Sequence, residues 1–250
     1  MGFYEPLQTT TVWSFPNRGS WATHEPSYRG NWAPQVPRNL IERYSKPGDF
    51  ILDPMVGAGT TLVECKLLNR NAFGIDINPN AVKLAKSRLD FDSQYSPKIE
   101  VALGDARRMT GVATESVDLL LMHPPYLDIV RYSDGRIAGD LSNHGNLEIF
   151  RQELRLVAAE ACRVLRPDHY CAILIGDVRK QGAYIPLGFE MLGIFSSAGF
   201  ILKESVIKLQ HNCRSTGFWE ARSRDFLLIV HENLLIFRRP QFQQMVGVCP

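Results

Sequence analysis

Several short clusters in this 250-residue chain have the residue types and spacing to do chemistry, and each follows an apolar run. They are Asp53-Pro54-Met55-Val56-Gly57-Ala58-Gly59-Thr60-Thr61, Asp76, Gly104-Asp105-Ala106, His123-Pro124-Pro125-Tyr126 and Gly176-Asp177. Gly57-x-Gly59 lacks side chains where a ligand could lie against the backbone near a helix N-terminus. It is not a G-x-x-x-x-G-K-[ST] phosphate loop, because Thr60 and Thr61 stand where the Lys and hydroxyl pair would be needed. Nor is it a full G-x-G-x-x-G, since Leu62 takes the third glycine's place. Asp76 could accept hydrogen bonds from two ribose hydroxyls, which suits NAD and any adenosine-containing cofactor alike. It could equally cap a helix before Asn78-Pro79. His123-Pro124-Pro125-Tyr126 separates the two cofactors: its prolines remove backbone donors and leave carbonyls facing outward, its imidazole can accept a hydrogen bond, and Tyr126 offers a flat ring. That set fits a nucleobase amine and has no use in hydride transfer.

These clusters need a scaffold that brings strand ends together. Hydrophobic patterning predicts helices over 37–44, 60–68, 79–89, 147–165 and 187–197, and strands over 50–52, 72–75, 99–103, 117–122, 171–175, 200–207, 226–230 and 234–237. Near-continuous apolar strands alternating with helices predict an α/β fold with a mostly parallel sheet covered on both faces, closed by a terminal antiparallel hairpin. Ligands in such sheets bind beyond the carboxyl ends of the strands, where the clusters lie. Residues 1–36 carry three of the four tryptophans with no periodicity and read as an irregular arm, packed either on a ligand or on the chain's own core. Residues 37–240 read as a single catalytic domain, with no separate target-recognition domain.

Composition narrows the classes further. With 45% hydrophobic and 22% charged residues the chain is globular, neither disordered nor coiled coil. A net charge of +2 neither demands nor forbids nucleic acid. Cys65, Cys162, Cys171, Cys213 and Cys249 form no C-x-x-C pair, so reduced thiols and a cytoplasmic location are expected. Apolar runs are too short for a membrane span, and no histidine spacing points to a metal.

The pairing of D-P-M-V-G-A-G-T-T with H-P-P-Y, in these strand positions, resembles the S-adenosylmethionine-dependent amino methyltransferases of DNA, whose motifs read D-P-F-x-G-x-G-T and D/N/S-P-P-Y/F/W. The resemblance runs over residues 33–237 and implies a Rossmann-like methyltransferase fold with a seven-stranded sheet. It implies that the segment around Gln35 wraps the cofactor and that Asp53, Pro54 and the turn of Gly57, Gly59, Thr60 and Thr61 hold its methionine moiety. Asp76 would bind ribose, Ile77 would pack on adenine, and Asp105 with Ala106 would read the adenine edge. His123, Pro124, Pro125 and Tyr126 would hold a flipped adenine or cytosine, stacked on Tyr126, for direct in-line transfer to its exocyclic amine. His123 departs from the family's Asp, Asn or Ser. A protonated imidazole accepts nothing, so activity is expected to fall as pH drops through the histidine range, unless the ring only braces the loop.

Two loops beside the expected cleft mix arginine with aromatic rings, a combination that suits phosphate contact and stacking. Residues 127–145 carry Arg131, Tyr132 and Arg136; residues 210–224 carry Arg214, Trp219, Arg222 and Arg224. With only these loops and the arm to read sequence, DNA recognition should be short, lax or assisted by a restriction or specificity partner. An RNA amino methyltransferase and a noncatalytic binding subunit of the same fold are the alternatives.

Overall fold

A computed structural model of the chain describes residues 6–211 and 225–241. In chain order the principal elements are β1 (Val12–Ser14), α1 (Gln35–Tyr44), β2 (Phe50–Asp53), α2 (Thr60–Leu67), β3 (Asn71–Asp76), α3 (Pro79–Arg88), β4 (Ile99–Leu103) and β5 (Val117–Met122). They continue with α4 (Leu147–Val164), β6 (Leu165–Ile175), β7 (Val178–Lys180), β8 (Ala183–Ile185), α5 (Leu187–Ser197), β9 (Ile201–Leu209) and β10 (His231–Arg238). Local chemistry accounts for the starts of α3 and α4. Pro79 stands at the first turn of α3 while the Asn78 side chain accepts the Asn80 N–H, and Asn146 caps α4 by accepting from Glu148 and Ile149.

One eight-stranded sheet runs in the order β1-β9-β10-β6-β5-β2-β3-β4, and β7 pairs with β8 in a separate two-stranded ribbon. The expected fold class holds, but the sheet has eight strands where seven were expected. The extra strand comes from the arm: β1 pairs parallel with β9 through Val12↔Ile207 and Ser14↔Leu209, so residues 1–36 are not wholly irregular. A second difference lies at the C-terminal end. Residues 226–230 form no strand, and the closing antiparallel pair is β9 with β10. β10 inserts between β9 and β6, antiparallel to both, and carries the apolar Leu234–Phe237 run into the core, whereas among the described residues 226–230 joins no strand ladder.

Every residue of β5 is buried, as a central strand with helices on both faces requires. On one face Phe150, Leu154 and Val157 of α4 pack with Phe195 of α5; on the other Leu40 and Ile41 of α1 pack with Leu62 of α2 and Val82 of α3. Trp13, Phe15 and Trp32 belong to that second cluster, so the arm is pinned to the chain's own core. Glu64, wholly buried on α2, adds a polar staple: it accepts from Trp21 Nε1 at 2.7 Å and meets His24 Nε2 at 2.6 Å and Arg38 at 3.2 Å.

The strand order decides where a site can form. From β2 the chain steps outward through β3 to β4, then returns to place β5 on the other side of β2. The crevice beyond the ends of β2 and β5 is therefore the topological switch point of the sheet. Because β10 runs against its neighbours, its first residues, His231 and Glu232, also lie at that edge.

Candidate active site

Asp53 ends β2 and is fully buried. Its Oδ1 accepts the Met55 N–H at 3.1 Å and its Oδ2 the Thr61 hydroxyl at 2.5 Å. Burial outweighs these bonds and pushes the carboxyl up to about 7. The turn that follows needs its glycines. Gly59 has φ +84°, and a Cβ there would stand 3.1 Å from the Cα and Cβ of Ala85; Gly57 has φ +50° and donates its N–H to Asp76 Oδ2 at 2.9 Å. Asp76 Oδ1 accepts from the Asn78 N–H at 2.8 Å, and burial raises this carboxyl too. Since Asn78 is the residue that caps α3, Asp76 is free to face the crevice.

A cavity opens at this point, lined by Asp53, Pro54, Gly57, Asp76, Ile77, Asp105, Ala106, His123 and Pro125. The other expected cofactor residues stand behind it. Thr61 braces Asp53, Thr60 donates to the Asn31 side chain, and Gly59 packs on α3. Gln35 accepts the Gly19 N–H and donates to the Asn17 carbonyl, anchoring the arm instead of reaching the cavity. Burial would raise Asp105, but bonds from the Arg107 guanidinium and N–H hold it below its ordinary value, and Arg107 also pairs with Glu153.

The arm and the loop after β5 close the cavity's outer side. Tyr28 and Tyr132 stack with centroids 5.7 Å apart and planes 11° from parallel, and both line the cavity with Asn31, Trp32 and Asp140. Tyr132, expected among the nucleic-acid contacts, therefore faces the cavity. Arg131 and Arg136 are exposed and paired with Asp128 and Asp134. Arg214, Trp219, Arg222 and Arg224 lie outside the described residues.

The end of β5 carries the other half of the site. His123 stacks on Trp32, centroids 5.5 Å apart and planes at 22°. Its Nε2 lies 2.7 Å from the Tyr126 hydroxyl, which donates to Glu232 Oε1 at 2.6 Å, and Glu232 Oε2 pairs with Lys208 Nζ at 2.7 Å. Burial pushes the Glu232 carboxyl up, yet Lys208, His123 and Tyr126 outweigh it and hold the group below its ordinary value. Proton bookkeeping then sets the tautomer: with the Tyr126 proton on Glu232, His123 must donate from Nε2, leaving Nδ1 as its acceptor. Burial lowers the imidazole to about 4, so the ring is neutral across the pH range where histidine normally titrates. The expected pH sensitivity therefore moves well into acid. Tyr126 is not the expected exposed platform either. Its hydroxyl is tied at both sides, and its ring packs so closely on Gly176 that a Cβ there would sit 2.6 Å from Cε2.

Residues 5–87 match the family model described as DNA methylase, and residues 52–124 the one described as methyltransferase domain. The chain is 40% identical over 73 residues to Type II methyltransferase M.MjaII of Methanocaldococcus jannaschii, covering 29% of this chain and 14% of that protein. It is 50% identical over 60 residues to Type II methyltransferase M.HpaI of Haemophilus parainfluenzae, covering 22% and 19%. The chain thus matches less than a fifth of the length of either. Among solved structures, a SAM-dependent methyltransferase from Methanosarcina mazei superposes with a TM-score of 0.57 at 17% identity, over 80% of this chain and 97% of that one. The fold is that of the SAM-dependent methyltransferases. The resemblance to DNA amino methyltransferases lies over the arm, the glycine turn and Asp76.

Trp32, Tyr28, Lys208 and Glu232 were not singled out by the motifs. Glu232 had one signal, a buried acid opening an apolar strand, but only the reversed direction of β10 brings it to Tyr126. Among the described residues no group of three His, Cys, Asp or Glu could hold a metal, and no helix is long and apolar enough to cross a membrane.

Proposed function

We propose that the protein transfers a methyl group from S-adenosylmethionine to the exocyclic amino group of adenine or cytosine in DNA. The observation that carries this reading is the shared cavity at the switch point: the β2 turn and, from the loop that follows β5 on the adjacent strand, His123 and Pro125 open into one space. The residues present suit the cofactor. Asp76 offers a buried carboxylate for the ribose diol, Ile77 an apolar face for adenine, Asp105 and Ala106 polar and backbone groups for its edge, and Asp53 with Gly57 a place for the methionine moiety. When bound, the cofactor supplies an electrophilic methyl group.

The chain's own task is orientation. The amine lone pair is delocalised into the base ring, so no strong base is needed. His123 Nδ1 and the Pro124 carbonyl accept the amine hydrogens and turn the lone pair toward the methyl group. The Lys208-Glu232-Tyr126 relay keeps His123 in the tautomer that can do this. A duplex base must be extruded to reach this depth, and the flat faces that line the cavity are those of Tyr28, Trp32 and Tyr132. Site-specific DNA methylation in the cytoplasm beside a restriction or specificity partner is the setting this reading implies. Incubation with labelled cofactor and either DNA or RNA, followed by mass spectrometry of the nucleosides, tests it. Methylated deoxyadenosine or deoxycytidine is expected. Label in RNA alone would favour the RNA enzyme, and bound cofactor without transfer a noncatalytic subunit.

A further inference from the structure

The cavity has a conspicuous charge imbalance. Asp53, Asp76, Asp105 and Asp140 line it, and among the described residues no lysine or arginine does. A ligand that carries a carboxylate as well as an ammonium and a sulfonium needs a cation from somewhere. Arg18, on the arm, lies one residue behind the lining. Its Nη1 donates to the Asn31 carbonyl at 3.1 Å, and Asn31 itself lines the cavity and holds Thr60 at the start of α2. Its Nε and Nη2 are shielded from solvent and have no hydrogen-bond partner among the described residues. Those two atoms form one edge of the guanidinium, a parallel pair of N–H donors whose spacing matches the two oxygens of a carboxylate. Leaving such donors buried and unmet is costly, so the edge is a receptor awaiting an acceptor pair. Its electrostatic neighbours leave it in want of an anion: Arg88 adds like charge, and His123 is neutral.

We propose that the Nε and Nη2 edge of Arg18 binds the α-carboxylate of the cofactor's methionine moiety, with Asp53 on the opposite charge, the α-ammonium. This rests on the cofactor reading above and adds a role for the arm: the segment that carries Trp32 to His123 also holds the cofactor's far end, so cofactor occupancy and placement of the catalytic loop are linked through residues 18–32.

The test is binding, without DNA. Calorimetry would compare S-adenosylhomocysteine with 5′-deoxy-5′-(3-aminopropyl)thioadenosine, which keeps the adenosine, thioether and amine but lacks the carboxylate. Wild type should bind the first roughly ten- to a hundredfold more tightly, as for a charge-assisted two-point contact. Arg18→Met should lose that preference by weakening the first ligand alone, and Arg18→Lys, with the charge but not the fork, should recover part of it. Unchanged affinity for the truncated ligand shows that the variants are folded. A preference preserved in Arg18→Met would overturn the proposal, and would do so even if DNA binding weakened, since the fork would then serve a backbone phosphate. Equal affinities in wild type would also overturn it. Binding of neither ligand to wild type would instead remove the cofactor reading, and this inference with it.

Discussion

The proposed cofactor side of the cleft is built from chain neighbours, with Asp53 bonded to Thr61 eight residues on and Gly57 to Asp76 nineteen on; the loop after β5 is held from afar, with Tyr126 bonded to Glu232 across 106 positions. Both sides carry buried carboxyls, but their environments push them in opposite directions. Asp53 has only neutral donors, so burial raises it to about 7, whereas Glu232 has Lys208 and is held down. A local turn can position a group, but fixing a buried charge took a cation from another strand.

Breaking the remote network should have the largest effect. Glu232→Gln keeps the shape but strands the Lys208 ammonium in a largely buried position; a loss of roughly 3 kcal/mol in urea unfolding is expected, with activity falling more steeply than cofactor affinity as His123 loses its fixed tautomer. An unchanged midpoint would mean that the relay contributes nothing to the fold. On the local side, Gly59→Ala forces a non-glycine residue into the left-handed region against α3. It should cost about 1–3 kcal/mol and weaken cofactor binding at the same time, read by thermal shift with and without S-adenosylhomocysteine.

Acidity separates the two sides more finely. Asp53 is raised above its unfolded value near ~3.9, so its contribution to stability is fully present below about pH 4 and is lost as pH rises through about 7. Asp53→Asn should flatten that slope in denaturation curves measured across this window. Cofactor binding near pH 7 should release a proton from Asp53 in the wild type, detectable as a dependence of binding enthalpy on buffer ionisation. His123 predicts the reverse: with cofactor and DNA saturating, the rate should show no inflection from this group between about pH 5 and 8, because burial holds it at about 4. An inflection near ~6.5 that disappears in His123→Asn would restore the ordinary histidine. The smallest change belongs to the surface. Arg136, exposed and paired with Asp134, should on replacement by Ala reduce the salt slope of DNA binding by about one at most, leaving catalysis intact.

Legibility followed the same division. The glycine turn, Asp76 and the Pro-Pro-Tyr loop could be read because strand, turn and helix propensities are local and the clusters sit where strands end. The sequence reading missed the arm's strand and placed the closing antiparallel pair one strand too late, on 226–230 with 234–237 instead of β9 with β10. β1 is only three residues long, and its partner in β9 lies nearly two hundred residues away. Residues 226–230 look like a strand by composition, but pairing decided otherwise. Tyr126 shows the limit at a single residue: its aromatic ring is plain in the sequence, while its burial between His123 and Glu232 is not.

By itself the sequence determined the α/β class and the strand ends whose residues line the cavity, since hydrophobic period and turn chemistry act over a few residues. Only the tertiary structure decided that burial keeps His123 neutral, that the Tyr126 hydroxyl is held between His123 and Glu232, and that Arg18 stands behind the cavity lining with an unmatched edge. Those properties depend on desolvation and on partners from other strands and the arm, and neither has a local signature.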